Sequence, residues 1–281
     1  ELTRLDPEAA AGWALRGLCE FRTRQYDLAR EHLKRAHTLT TGGGELRRIA
    51  DYHLALLLIR EGAFELSFEI LVKVARMAKN DPEIAFACGL AALRMAVLPE
   101  EVAPADRDVV AVAGKAFFDL ATRPPAESKA AFDTLLGRYP EFPNVHYFYG
   151  TYLAVHRPDD AIPEFLKELQ VSPQHVPARV QLALQHLSRG ETEQALKWAA
   201  EAASISPDSV GTRLAFGRAL MNAGKEEAAL AEFLKAKELD PASPEIRMYA
   251  VSAYRALGRK EEMLREQNEF ERLKALQKNW P

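Results

Sequence analysis

The chain has no excess of positive charge. Its 37 Lys and Arg stand against 40 Asp and Glu, a formal net charge of −3. No stretch gathers the basic cluster that nucleic acid or an anionic membrane surface demands. It also lacks any apolar run near the roughly 18 residues needed to cross a bilayer. Neither nucleic-acid binding nor membrane insertion is therefore expected. Cysteine is scarce: Cys19 and Cys88 are the only two. Each sits in a helical apolar pattern, so two free, buried thiols are expected and the redox compartment stays open. No secretory leader opens the sequence. It begins at Glu1 rather than Met, so a segment upstream is expected.

Motifs that carry chemistry are missing too. The histidines are His32, His37, His53, His146, His156, His175 and His186. None forms an HExxH or a Cys/His pattern with metal-ligand spacing, and neither metal nor cofactor is expected. His53, His146 and His186 lie in helical patterns, where packing or a local hydrogen bond is the expected role. There is no GxSxG, and no Cys stands near a His in a recognisable arrangement. The run Thr40-Thr41-Gly42-Gly43-Gly44 lacks the Lys-Ser/Thr that would complete a phosphate-binding loop, and reads as a flexible connector. Glu226-Glu227 and Glu261-Glu262 read as solvated helix faces. The expectation is a protein with no catalysis of its own.

What the chain does have is helix-forming composition and a period. Hydrophobic residues make up 48% of its 281 residues, and Ala, Leu, Glu, Arg and Lys recur throughout. Pro173, Pro207 and Pro241 are spaced 34 apart, as are Gly190, Gly224 and Gly258. Ala195 and Ala229 keep that spacing, and so do Ala202 and Ala236. Residues 176–241 thus read as two units in strict register, and 242–278 as a third that loses the pattern in its second half. Inside each unit apolar residues recur at three and four, the mark of an amphipathic helix. Gly190 and Gly224 interrupt the pattern midway, where a reversing chain needs φ > 0. Each unit is therefore two antiparallel helices, with Ala183, Gly217, Ala195 and Ala229 where they approach closely. Pro207 and Pro241 end the second helices, because the residue before proline is pushed out of the α region. Ser243-Pro244 reads as an N-cap followed by a first-turn proline.

This pattern resembles the tetratricopeptide repeat. Residues 210–241 match best, through Phe216-Gly217, Leu220, Gly224, Ala229, Phe233, Ala236 and Pro241. Residues 10–41 match through Trp13, Gly17, Tyr26, Ala29, Leu33 and Ala36, departing at Arg16 and Glu20 where apolar residues are expected. Residues 48–79 match through Leu54-Ala55, Leu58, Gly62, Phe64, Leu71 and Val74. Residues 145–173 match through Tyr149-Gly150, Leu153, Ala161, Phe165 and Pro173, with a turn one residue short. Leu5-Asp6-Pro7 looks like the tail of a further repeat. The resemblance implies an all-α, right-handed α-α superhelix, a solenoid of about seven helical hairpins plus one unpaired helix.

Residues 83–143 break the frame. Ile84–Val97 reads as a first-type helix with Gly89 at the glycine mark, but no matching second helix follows. One reading makes 98–106 an extended return segment in place of that helix. The other pairs the helix directly with a helix over 107–122. The organisation expected from the first reading is N-terminal repeats over 1–97, the first truncated, an extended linker over 98–106, C-terminal repeats over 107–258, and a capping helix over 259–281. The aromatic run Tyr139, Phe142, His146-Tyr147-Phe148-Tyr149 and Tyr152 is expected to pack where irregular repeats meet, with an aromatic binding patch as the alternative.

By resemblance, first helices line a concave face. The inward positions are then Ala14, Leu18 and Phe21; Tyr52, Leu56 and Ile59; Phe86, Leu90 and Leu93; Tyr147 and Thr151; Val180, Leu184 and Leu187; Leu214, Arg218 and Met221; and Met248, Ser252 and Arg255. Leu18, Leu56, Leu90 and Leu184 hold a place that is commonly polar in peptide-binding relatives; exposed, such an apolar strip marks an interaction surface, and the alternative is that the protein fills it itself by inter-helix packing. Pro177, Val180, Gln181 and Leu184, and their counterparts in the next two repeats, do not match the family's clamp for a C-terminal carboxylate. The function implied is a scaffold binding a protein or peptide in the groove, with self-association through the groove or the first repeat as a further expectation. The alternative is a targeting or regulatory arm of a larger enzyme.

Overall fold

The computed structural model describes residues 6, 8–40, 44–78 and 81–278. Within them lie fifteen α-helices and no strand. Leu5, Pro7 and the Thr41–Gly43 connector fall outside the described residues. The chain divides into two compact units, Glu1–Phe148 and Tyr149–Trp280.

The first unit holds α1 (Ala10–Arg22), α2 (Tyr26–Leu39), α3 (Glu45–Arg60), α4 (Phe64–Met77) and α5 (Pro82–Ala92). Two turns of 3-10 helix follow, Pro99–Glu101 and Pro104–Asp106, then α6 (Arg107–Thr122) and α7 (Pro125–Arg138). The unit boundary falls within α8 (Val145–His156). The second unit continues with α9 (Ala161–Val171), α10 (Val176–Ser188), α11 (Thr192–Ile205), α12 (Val210–Asn222), α13 (Glu226–Leu239), α14 (Pro244–Ala256) and α15 (Lys260–Lys278). Each unit is thus a stack of helical hairpins, as the period implies.

The local signals do what their chemistry requires. Gly190, Gly224 and Gly258 carry φ of 73°, 67° and 70°, each reversing the chain between paired helices. Ser206 and Asp240, which precede the prolines, have ψ of 78° and 86° and end α11 and α13. Ser243 Oγ accepts from the Ile246 N–H at 3.5 Å and caps α14 ahead of Pro244.

Hairpins close through one recurrent contact. A Cβ at Gly217 would lie 2.4 Å from the Phe233 ring, one at Gly150 2.7 Å from Phe165, and one at Gly17 2.7 Å from Leu33. The missing side chain lets a large residue of the second helix lie flat on the first. Phe233, Phe165 and Leu33 are each fully buried, each worth about 1.5–3 kcal/mol in transfer from water.

An ionic staple repeats in the second unit. Arg213 Nε donates to the Pro207 carbonyl at 2.7 Å and its Nη1 meets Glu232 at 2.6 Å. Thirty-four residues on, Arg247 donates to the Pro241 carbonyl at 3.1 Å and to Glu266 at 2.8 Å. Each guanidinium ties an inter-repeat turn to the second helix of its own hairpin. Burial works against the Glu266 charge, but hydrogen bonds from Arg247 and Lys237 outweigh it and hold the carboxyl below its ordinary range. α15 is thereby fixed as the second helix of the last pair.

The irregular middle departs from the extended-segment reading. The 98–106 stretch is two 3-10 turns, anchored by buried Leu98 and Val102. α5 packs directly on α6. A Cβ at Gly89 would lie 2.0 Å from the Val110 carbonyl oxygen, and one at Gly114 2.0 Å from the Ala85 carbonyl oxygen. Two facing glycines let the backbones touch, so α6 stands where the second helix of this repeat would be. This is the competing reading, and it leaves α7, not α5, as the helix outside the pairing. Of the aromatic run, His146, Phe148 and Tyr152 are buried and the others half-buried: Phe148 meets the Phe117 and Phe132 rings at 6.3 and 4.9 Å, and Tyr152 stacks on Tyr149 at 5.9 Å.

The departures at Arg16 and Glu20 also find a cause. Arg16 bonds Glu20 at 3.0 Å, and Glu20 bonds buried His32 at 2.5 Å, with Trp13 stacked on that imidazole. A satisfied polar cluster replaces the apolar contact. Both cysteines are free; Cys88 is buried, but Cys19 is exposed, contrary to expectation.

Candidate functional sites

Three successive first helices of the N-terminal unit open one concavity. Phe21 from α1, Tyr52, His53 and Leu56 from α3, and Phe86 from α5 form its apolar wall, around a volume of about 520 Å³. Pro82, Glu83, Pro99, Glu100 and Arg107 complete the lining. His53 fixes the aromatic arrangement. Its Nδ1 donates to the Ile49 carbonyl at 2.8 Å, and its ring meets Phe21 and Tyr52 edge-on at 4.8 and 5.2 Å. Burial lowers the His53 pKa, partly opposed by that hydrogen bond and by Glu83. Burial, with the nearby Glu83, Asp81 and Glu100 carboxylates, drives the Tyr52 phenol well above its ordinary value. At neutral pH both rings are uncharged. Arg107 lies over Phe86 at 5.0 Å and donates to the Pro99 carbonyl at 3.1 Å, so the irregular segment is tied to the wall.

The second unit has its own concavity of about 530 Å³. Leu184 and Leu187 of α10, Arg218 and Met221 of α12, Phe233 of α13 and Tyr249 of α14 supply its body, with Ser188, Asn222 and Ser252 among them. Arg218 lies 5.6 Å over the Tyr249 ring and makes no ion pair among the described residues.

The sequence-predicted groove residues divide accordingly. Phe21, Tyr52, Leu56 and Phe86 meet in the first concavity; Leu184 and Arg218 meet in the second. Ile59 and Leu90 are fully buried and Leu56 is 4% exposed, so at these positions the protein fills the apolar strip itself. The reason is crowding: α5 is enclosed by α3, α4, α6 and the first 3-10 turn. Leu18 and Val180 are half-buried and lie outside both concavities. Leu214 packs on the Leu220–Phe233 core, Tyr147 lies 5.6 Å from the Arg94 guanidinium, and Arg255 is exposed. Sequence reasoning missed His53 and Tyr249 as wall residues, although each adjoins a position it did assign. It had no frame from which to place Pro99, Glu100 or Arg107.

Among the described residues no group of three or more His, Cys, Asp or Glu is placed to hold a metal ion. No described helix is long and apolar enough to cross a membrane.

Comparison with known proteins bears on the repeats that carry these concavities. Tetratricopeptide repeat models match residues 186–248, and residues 1–44 with 151–210, together half of the chain. No curated protein is similar enough to count as a relative. Among solved structures, MamA 41-end from Desulfovibrio magneticus RS-1 is 18% identical with a TM-score of 0.51, over 61% of this chain and 96% of that one. PilW, a widely conserved type IV pilus biogenesis factor, is 14% identical with a TM-score of 0.53, over 80% of this chain and 93% of that one. Identities this low speak for the fold alone. Repeats of this type typically carry no catalytic centre and present surfaces to other proteins. The chain belongs to the tetratricopeptide repeat family, and is in general terms a protein-interaction scaffold.

Proposed function

We propose that this protein holds a polypeptide segment against the first helices of its repeats, with the N-terminal concavity as a principal seat. One observation carries the reading. Phe21, Tyr52 and Phe86 come from three different repeats, yet converge on one open volume of about 520 Å³. Each is only half-buried, whereas neighbouring side chains of α3 and α5 are packed away. Rings held by packing lose little freedom when they bind, and rigid aromatic anchors of this kind dominate the energetics of many interfaces.

Selection of a random 12-residue peptide library against the whole chain tests the reading. Tyr52→Ala/Phe86→Ala, checked for folding by circular dichroism, is the comparison. Wild type is expected to enrich a peptide set that the double variant loses. Enrichment of the same set by both proteins, or of none by wild type, removes the N-terminal concavity as the seat.

A further inference from the structure

The walls of the N-terminal concavity are apolar, but its rim is not neutral. Glu83, at the start of α5, and Glu100, in the first 3-10 turn, both line it. Neither carboxylate makes an ion pair among the described residues. This sets them apart from Asp81, whose carboxylate is met by Arg48 at 3.4 Å. Among the described residues that line it, the cation Arg107 is held over Phe86 and bonded to the Pro99 carbonyl rather than to either Glu. His53 adds no charge at neutral pH, since burial lowers its pKa. The Tyr52 and Phe21 rings line the same volume.

Resting on the function proposed above, we infer that this concavity selects a basic side chain, Lys or Arg, flanked by apolar residues in the bound segment. The apolar flanks take the half-buried Phe21 and Tyr52 surfaces. The cationic head takes the aromatic faces and the two unpaired carboxylates. A cation is attracted to an aromatic face by the ring quadrupole, and more so where water is partly excluded. The position that Arg107 already takes over Phe86 is an instance of that attraction within the same wall. An acidic side chain would meet repulsion from both glutamates at short range. Part of this selectivity depends on a segment that regular repeats lack, because Glu100 is placed by the 3-10 turn between Leu98 and Val102.

The test uses a 12-residue peptide drawn from the library selection, fluorescently labelled, with its basic residue kept or changed to Glu. Binding to the whole chain is measured by anisotropy, for wild type and for Glu83→Lys/Glu100→Lys; both substituted side chains are exposed. Wild type is expected to bind the basic peptide about tenfold more tightly than its Glu form, and the charge-reversed variant to invert that order. Raising the salt is expected to narrow the wild-type preference. Equal affinity for both peptides, or a preference unchanged by the charge reversal, overturns the inference. If those same peptides still require Tyr52 and Phe86, the concavity remains the seat and only its charge selectivity is lost. If no peptide depends on Tyr52 and Phe86, both fall.

Discussion

Two hairpins, α5–α6 in the first unit and α12–α13 in the second, start from the same glycine mark and close in different ways. At Gly217 the facing atoms belong to the Phe233 ring, a side chain that can shift. At Gly89 and Gly114 the facing atoms are carbonyl oxygens, which belong to helices and cannot yield. The regular hairpin buys tolerance from its side chain; the irregular one has none. A repeat whose helices are joined by a long irregular connection is thus held by closer backbone contact than one joined by a short turn.

Substitutions can break or sharpen that contrast. The largest effect is expected from Gly89→Ala, whose Cβ would lie 2.0 Å from the Val110 oxygen. It should cost about 3 kcal/mol or more, through forced separation of α5 and α6. Hydrogen exchange should show lost protection in those two helices, while α12 and α13 stay protected. Gly217→Ala meets a ring at 2.4 Å and should cost less, about 1–3 kcal/mol, with exchange raised in α12 and α13 only. A larger loss at Gly217 than at Gly89 would invert the contrast.

The ionic staple gives the next step down. Glu266→Gln weakens the links to Lys237 and Arg247, and should lower stability by about 1–2 kcal/mol in urea unfolding at pH 7. The sign of the pH effect follows from a folded-state pKa below the ordinary 4.5. The contribution is complete above that ordinary value and is lost as the pH falls through the lower, folded-state one. The variant should therefore approach wild type in stability under acid conditions. A gap that stays unchanged as the pH is lowered until the wild-type carboxyl is protonated would exclude the Glu266 charge as its source.

Gly190→Ala probes the turn without any packing change, because φ is 73° and nothing lies within 4 Å of the new Cβ. About 1 kcal/mol is expected from backbone strain alone. Smallest is Arg218→Ala. With no ion pair to lose, the change in stability should stay within about 0.5 kcal/mol. Any larger loss would mean that the Tyr249 contact supports the fold.

Much of this was legible in the residues. Gly190, Gly224, Pro207, Pro241 and Ser243 act through local backbone chemistry, so their positions announced the turns and caps directly. Arg213 and Arg247 also share the 34-residue spacing, and the staple could have been found from it. Which leucines of the strip stay exposed was not legible, for a different reason. Leu90 holds a first-helix position like Leu18, but whether it faces open space depends on how many neighbours enclose α5. The irregular segment stayed open between two readings because length alone permits either an extended return or a direct pairing, and Gly114 as the partner of Gly89 has no fixed sequence offset.

The sequence by itself determined the helices, their reversals and the family, since these follow from propensities and a repeated local pattern that each unit satisfies with its nearest neighbours. Only the tertiary structure decided that α6 replaces a missing second helix, that Leu90 is core while Tyr52 and Phe86 face an open volume, and that Glu83 and Glu100 share its rim. Those outcomes depend on close approach between residues far apart in the chain, where a single absent Cβ or one enclosing helix changes which surface remains exposed.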